Sequence, residues 1–491
     1  MIGRWARLSE RLPLVFFLGG YTFACYLGVL LLLVSKDFWA WTYYFAGPRL
    51  PSLHKSSLWA LLTLLHGGPV FLWLGYEAAT AGCKRYWKWQ GLVARNDDPM
   101  ATKWIFLPYA LSVSFAVWSL IRGGAFSRIT AWGDYYSYVN ARWSLFSRLT
   151  FFEWVNLYTW LPFLSACLFI TRRASRWFLG LVFGVLALLQ LSIFQKKPLL
   201  TSIFVIACGA WAYWYGGTSP RRAVHPRLWL KFLASLCLSL YLVNAVLTVR
   251  VVIANKPGVL ALRAAVDKPA QDNPAPSQPA MAAQAASHKD SAAESLARAK
   301  ARFESEPVLV DFSRTAPPPV SGRAIALYTF FAPLTRTSVP TIAYAELFPY
   351  YLPFYHLDLG LDILGFGRMP DDNLNVFDQL WPEQRGGSGA VAAPFHFVLY
   401  SQGGILLALA GSLLAGAFLG VCWYAVSGWQ RFPVIGSLLV SAILTYAVLI
   451  SVDSLRNTTI ETYGMMWAVV LLTILNWWVS RIQRHQKSAP H

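Results

Sequence analysis

Apolar residues in this chain come in runs of about twenty, the length at which a helix crosses a hydrocarbon core of about 30 Å. Short stretches rich in Lys and Arg separate the runs. The pattern predicts about ten helices. About seven come first, near 14–34, 57–78, 104–120, 151–170, 177–194, 198–215 and 228–254. Three more follow near 395–423, 434–452 and 463–479. Each predicted helix is apolar nearly all round, which is the signature of a span rather than of a surface helix. The Gly67-Gly68-Pro69 triplet after His66 predicts a bend in the second run.

One stretch breaks this pattern. Residues 255–394 form a long polar interruption, which divides the chain into a first bundle (1–254), a large loop (255–394) and a second bundle (395–491). The Pro/Ala/Gln/Ser-rich part, 268–297, has too little apolar content to offset ordering entropy and is expected to be disordered. From 322 to 394, aromatics return among isolated arginines, and part of that stretch reads as helix. Residues 122–150, with Tyr135, Tyr136 and Tyr138, read as an amphipathic segment lying at a membrane interface.

Composition agrees with a polytopic membrane protein. Hydrophobic residues make up 56% of 491 positions. Trp and Tyr, 23 each, gather at the ends of runs, as in an interfacial belt. A formal charge of +19 would suggest nucleic acid in a soluble protein. Here basic loops facing anionic lipid explain it, and no nucleic-acid partner is expected. With the N-terminus inside, the inner segments hold about twice the Lys and Arg of the short outer ones, so the positive-inside rule puts both termini in the cytoplasm and the large loop outside. The six cysteines are scattered, without a CxxC pair, and the eight histidines lack metal-ligand spacing.

The candidate chemistry lies in the exceptions to that rule. Lys196 and Lys197 sit in a tight hairpin predicted outside, and Arg456 lies in another outer turn. Arg122, Arg128, Arg142 and Arg148 lie in the interfacial segment. Arg323, Arg336, Arg368 and Arg385 lie in the large loop. Cations on the translocated side oppose insertion, and binding an anion is the simplest compensating role; headgroup contact and snorkelling are the alternative. Asp371, Asp372, Asn373 and Glu383 read either as a base or metal site or as a solvated turn beside Pro370. His356 and His396 are general-base candidates by residue type alone. Arg336 and Glu346 stand amid apolar residues, which makes their helix-like stretch a candidate lining for the outer mouth of the bundle.

Four stretches carry a family resemblance. They are 123–170, the hairpin Phe194-Gln195-Lys196-Lys197-Pro198, the run from Ser388 through Pro394 to Gly403-Gly404, and Asp453 to Arg456 before the last run. By pattern rather than identity, the chain resembles the Wzy-type O-antigen and oligosaccharide repeat-unit polymerases, in particular the enterobacterial-common-antigen type. The family often has Arg in the hairpin where this chain has Lys196 and Lys197, and 268–297 has no expected counterpart.

The resemblance implies a GT-C-like, all-α glycosyltransferase of the bacterial inner membrane, working in lipopolysaccharide or exopolysaccharide biosynthesis. It implies no metal and no cofactor. The expected partners are an undecaprenyl-pyrophosphate-linked oligosaccharide, membrane lipids and a chain-length-regulating membrane protein. On this reading Arg336, Arg323 and Lys197 are assigned to the reaction, and Lys196, Arg456, Arg142, Arg368 and His396 to substrate binding. An O-antigen ligase is the nearest rival. A lipid-oligosaccharide flippase is disfavoured by the lack of repeated halves, and a non-catalytic export scaffold is the third alternative.

Overall fold

The structure is a computed structural model that describes residues 10–46, 48, 52–86, 102–127, 141, 144–145, 148–171, 176–193, 197–216, 301, 304–312, 322–352, 354, 372–381, 391–427, 433–459 and 464–488. Every apolar run predicted above carries helix except 228–254, which lies outside the described residues together with 255–300.

In chain order the helices begin with α1, Leu12–Val34, which includes a π-helical turn at Thr22–Tyr26. Then come α2 (Lys36–Ala46), α3 (Lys55–Tyr86) and α4 (Thr102–Gly123). Helix α5 comprises Phe151–Val155, a π turn at Asn156–Trp160 and Leu161–Thr171. Helices α6 (Arg176–Leu191), α7 (Lys197–Gly216), α8 (Gly322–Leu347) and α9 (Asp372–Leu380) follow. The last four are α10 (Phe395–Ser427), α11 (Pro433–Ile450), α12 (Leu455–Thr459) and α13 (Met465–Ser488). A two-stranded ribbon pairs β1 (Leu53–His54) antiparallel with β2 (Val308–Val310), His54 opposite Val308.

Four of these helices are long and apolar enough to cross a membrane: Leu12–Val34, Lys55–Arg85, Ile105–Gly123 and Phe395–Val426. Shorter apolar helices at Trp177–Leu191, Pro198–Tyr213, Val434–Ile450 and Met465–Leu475 pack among them. Their outward faces are apolar as well: Trp177 is 90% exposed and Leu406 83%. A surface of this kind suits lipid rather than water, so the described chain is a helical protein built to sit in a membrane.

Close packing follows from small residues and filled vacancies. Helices α3 and α10 run parallel, Leu72 meeting Gly416 and Tyr76 meeting Gly420. A Cβ on Gly416 would overlap the Leu72 carbonyl, so this Gly-x-x-x-Gly spacing lets the two backbones touch. Helix α3 continues through Pro69, the residue at which a bend was expected. Proline lacks the N–H that would serve the carbonyl four residues back. That carbonyl belongs to Leu65, and the Tyr21 hydroxyl of α1 donates to it instead at 2.9 Å. The lost helical bond is thus replaced by one from a neighbour.

The π turn of α5 is served in the same manner. Gln190 of α6 donates to the Leu157 carbonyl at 3.2 Å, and Ser202 of α7 donates to the Gln190 side chain at 2.8 Å. At the start of α5, Thr150 and Glu153 form a capping box. Glu153 is buried and also receives the Arg122 guanidinium from the last turn of α4. An internal partner therefore accounts for Arg122, one of the cations read from the sequence as free to bind an anion.

Candidate functional site

Helix α1 serves as the ruler for the site. Its π turn widens the helix and turns backbone carbonyls away from regular pairing. Helix α8 crosses it there. Thr337 donates to the Ala24 carbonyl, Ser338 donates to the Cys25 carbonyl at 3.0 Å, and the Thr341 hydroxyl lies 3.4 Å from the Cys25 thiol. Gly28 lets the crossing happen, since a Cβ there would overlap the Leu334 carbonyl and the Ser338 hydroxyl. From Thr337 to Phe348 the α8 segment is buried throughout. The stretch expected to lie along a mouth is therefore packed onto the first helix.

A second break lies in α10. Gly403 (φ −172°, ψ 26°) and Gly404 (φ 76°, ψ −171°) interrupt the helix. The Gly404 conformation is open essentially to glycine alone. The arm before the break folds beside the arm after it: His396 meets Gly68 while Leu409 meets Gly67, and Leu399 covers Gly411. This arm, Phe395 to Gln402, enters the bundle deeply enough for Phe395 to touch Phe17 of α1, ring centroids 6.3 Å apart. Tyr400 secures it by donating to the Phe348 carbonyl at 2.8 Å. Irregular backbone at such depth is tolerated where protein or a cavity surrounds it. His396 sits at the base of the arm, fully buried against Tyr21 and Gly68, and neither ring nitrogen has a hydrogen-bond partner among the described residues.

The end of α11 arrives at the same part of α1, where Gly20 lies against Val448 and Ser451. Helix α7 runs antiparallel to α11, Ser441 donating to the Val205 carbonyl and Gly209 meeting Leu438. Its first residue, Lys197, therefore begins where α11 finishes. Phe204 of α7 touches Phe16 of α1, and seven residues of helix, about 10 Å, separate Phe204 from Lys197. Asp453, buried, accepts the Ser454 N–H at 2.8 Å just before α12, which carries Arg456.

Three cation-bearing positions lie on or just past helices that meet α1: Lys197 at the start of α7, Arg336 beside Thr337 on α8, and Arg456 on α12, five residues past Ser451. Arg323 lies on α8 as well, thirteen residues, about 20 Å, from Arg336. Lys196, Arg142, Arg368, Arg385, Arg128, His356, Asp371 and Glu383 lie outside the described residues.

One pair was not legible in the chain. His54, the residue before α3, meets Glu346 near the end of α8, its ring Nδ1 2.6 Å from Oε1 and its backbone N–H donating to Oε2 at 3.2 Å. Both residues are buried. Burial pushes the Glu346 carboxyl above its ordinary range, opposed by the hydrogen bonds from His54. Neighbouring acids hold the same turn, Glu306 accepting the Ser56 N–H at 2.9 Å and Asp311 the Ser52 hydroxyl at 3.0 Å. Glu346 had drawn notice as a charge amid apolar residues; nothing in the sequence pointed to His54 as its partner. Among the described residues no group of three or more His, Cys, Asp and Glu is arranged to hold a metal ion.

No family model, no curated protein and no solved structure matches this chain.

Proposed function

We propose that the chain is a polysaccharide polymerase: a membrane glycosyltransferase that moves a growing glycan from its undecaprenyl-pyrophosphate carrier onto a new lipid-linked repeat unit. What supports this reading is that Lys197, Arg336 and Arg456 lie on or just past helices that meet the first helix, beside two interrupted membrane helices. A diphosphate leaving group needs charge stabilisation as its bond to the sugar breaks, and guanidinium and ammonium groups supply it in a water-poor site. Arg323, at the far end of α8, would serve the second lipid diphosphate, that of the acceptor. His396, enclosed at the base of the folded-back arm, would meet substrate only when that arm moves.

On this reading the protein has ten spans in a GT-C-like arrangement in the bacterial inner membrane. Both termini are cytoplasmic, and the 255–394 segment is presented on the periplasmic side. The reaction needs no metal: the carrier diphosphate is already a good leaving group, and the enzyme's remaining task is to position an acceptor hydroxyl. The test is a product ladder from the purified full chain supplied with lipid-linked repeat units, with and without a chelator. A ladder in both lanes supports the reading, whereas repeat units that stay single overturn it. Transfer of finished glycan to a different acceptor, without extension, would identify the ligase instead.

A further inference from the structure

Helix α6 leaves one face without a partner among the described residues. Val182, Leu186, Leu189 and Gln190 are buried on its inner side, where Gln190 serves the π turn of α5. The opposite stripe, Trp177, Gly180, Leu181, Gly184, Leu188 and Leu191, recurs at helical spacing and is exposed throughout. Tryptophan and leucine there suit lipid. The two glycines do not, because glycine weakens a helix relative to alanine and offers lipid no side chain. Other helical glycines of this chain are pressed by a neighbour: a Cβ on Gly28, Gly75 or Gly416 would overlap a backbone carbonyl of the adjacent helix. At Gly180 and Gly184 nothing among the described residues lies within 4 Å. Gly19 and Gly82 are open too, but neither has a second open glycine one turn away.

We infer that this face of α6 is the seat of the chain's own 228–254 run, packed parallel to α6 with Ser235 and Ser239 against Gly180 and Gly184. The docking stands apart from the reaction proposed above. Connectivity is the first reason for this occupant. Helices α6 and α7 are antiparallel neighbours across a short connection, Ser202 donating to Gln190. Gly216, at the end of α7, therefore returns to the end of the bundle where α6 begins. Residues 217–227 then lead to the 228–254 run and reach at most about 40 Å, enough to pass around one helix about 10 Å wide. Length is the second reason. The run is longer than the 16 residues of α6 and can cover the stripe from Trp177 to Leu191. Depth is the third. Gly180 and Gly184 lie four and eight residues past Arg176, and Ser235 and Ser239 lie seven and eleven past Leu228. Counted from the same end, the two pairs fall within about one turn of each other. Small residues four apart on both helices let their backbones approach, as membrane helices do where they pack.

The full chain carries the test. A protease site is inserted in 217–227, and Cys237→Ser with Cys422→Ser removes the native thiols that follow it. Gly184→Cys and Ser239→Cys are added, and membranes are oxidised, cleaved and run with and without reductant. A disulfide needs Cα atoms within about 7 Å. The expected result is a chain of monomer mass whose two fragments stay joined until reduced. Equal joining with Ser239→Cys alone overturns the inference, since a native thiol would then be the neighbour. Separate fragments both in this pair and in Gly180→Cys with Ser235→Cys overturn it and leave the face to lipid. A disulfide-linked dimer of whole chains overturns it in favour of a second copy. Should the cysteine variants fail to accumulate, Gly184→Leu decides on the purified monomer. Under a docked helix its melting temperature falls by several degrees. On a lipid-facing stripe leucine is the better helix former, so an unchanged or raised melting temperature overturns the inference.

Discussion

Glu346 reaches across 292 positions of sequence to hold His54 by two bonds, one to the ring and one to the main chain. Through this pair the end of α8 is joined to the start of α3, so α8 is part of the packed structure rather than a cover laid upon it. The hydroxyls of Thr337 and Ser338 make the second attachment, to α1.

The first prediction concerns the candidate cations. Arg336→Ala should abolish chain extension while the amount of protein in the membrane stays normal, read as polymer length on a gel against an immunoblot. Wild-type polymer length in that strain would remove Arg336 from the site.

The Glu346 carboxyl gives a pH dependence with a definite sign. Its folded pKa is raised, with burial the largest cause. Its contribution to stability is therefore fully present below the unfolded value of about 4.3 and lost as pH rises through the higher folded value. Acidifying from neutrality through that window should raise the melting temperature of the wild type relative to Glu346→Gln, measured by tryptophan fluorescence in detergent. Parallel melting curves for the two proteins at every pH would contradict the raised value.

The break in α10 separates its two glycines. Gly404→Ala forces a side chain into a backbone region that only glycine enters freely and should cost about 1–3 kcal/mol. Gly403 has an extended φ of −172°, and a Cβ there meets the Leu407 side chain, most closely its Cδ2 at 2.8 Å. Gly403→Ala should therefore be the milder change in the same unfolding assay, and the reverse order would mean that the bend does not depend on Gly404.

Tyr21 and Pro69 should be coupled. Tyr21→Phe leaves the Leu65 carbonyl without its donor, at a cost of about 1–3 kcal/mol. Pro69→Ala restores the helical N–H to that carbonyl, so it should recover much of the loss in the Tyr21→Phe background. A double-mutant cycle reads this directly; additive effects would show that the hydroxyl is not the replacement donor.

Arg122 serves as the control for the cation assignments. Its partner Glu153 is buried, while the Arg122 side chain is 42% exposed. Arg122→Met strands the buried carboxylate and should destabilise more than Glu153→Gln, which leaves the arginine able to reach solvent. Polymer formed per folded molecule should stay at the wild-type level in both variants. A selective loss of activity in Arg122→Met would bring Arg122 into the site.

The sequence located the helices because a membrane span is written locally, as an uninterrupted apolar run, and α3, α7 and α11 stand where those runs lie. It could not show how α3 runs on through Pro69, because the donor to the Leu65 carbonyl, Tyr21, comes from another element. Gly403-Gly404 was visible as a motif, but that it folds one arm back against the other depends on Gly67 and Gly68 of α3. Candidate cations could be picked out by their sign on the wrong side of a charge rule. Their distribution could not: Arg323 and Arg336 looked equivalent until α8 proved to be one continuous helix with Arg323 at its start and Arg336 near its middle. The His54–Glu346 pair was illegible for the plainest reason, since no periodicity connects a residue before one helix to a residue near the close of another far along the chain.

The bonds from α8 to the Ala24 and Cys25 carbonyls also impose an order of assembly. Those donors, Thr337 and Ser338, are translated 313 positions after their acceptors. While the ribosome is still making the intervening chain, the opening helix has no such hydroxyls beside it. The Ala24 and Cys25 carbonyls therefore gain these two donors only after residue 338 has been made and the incoming helix docks.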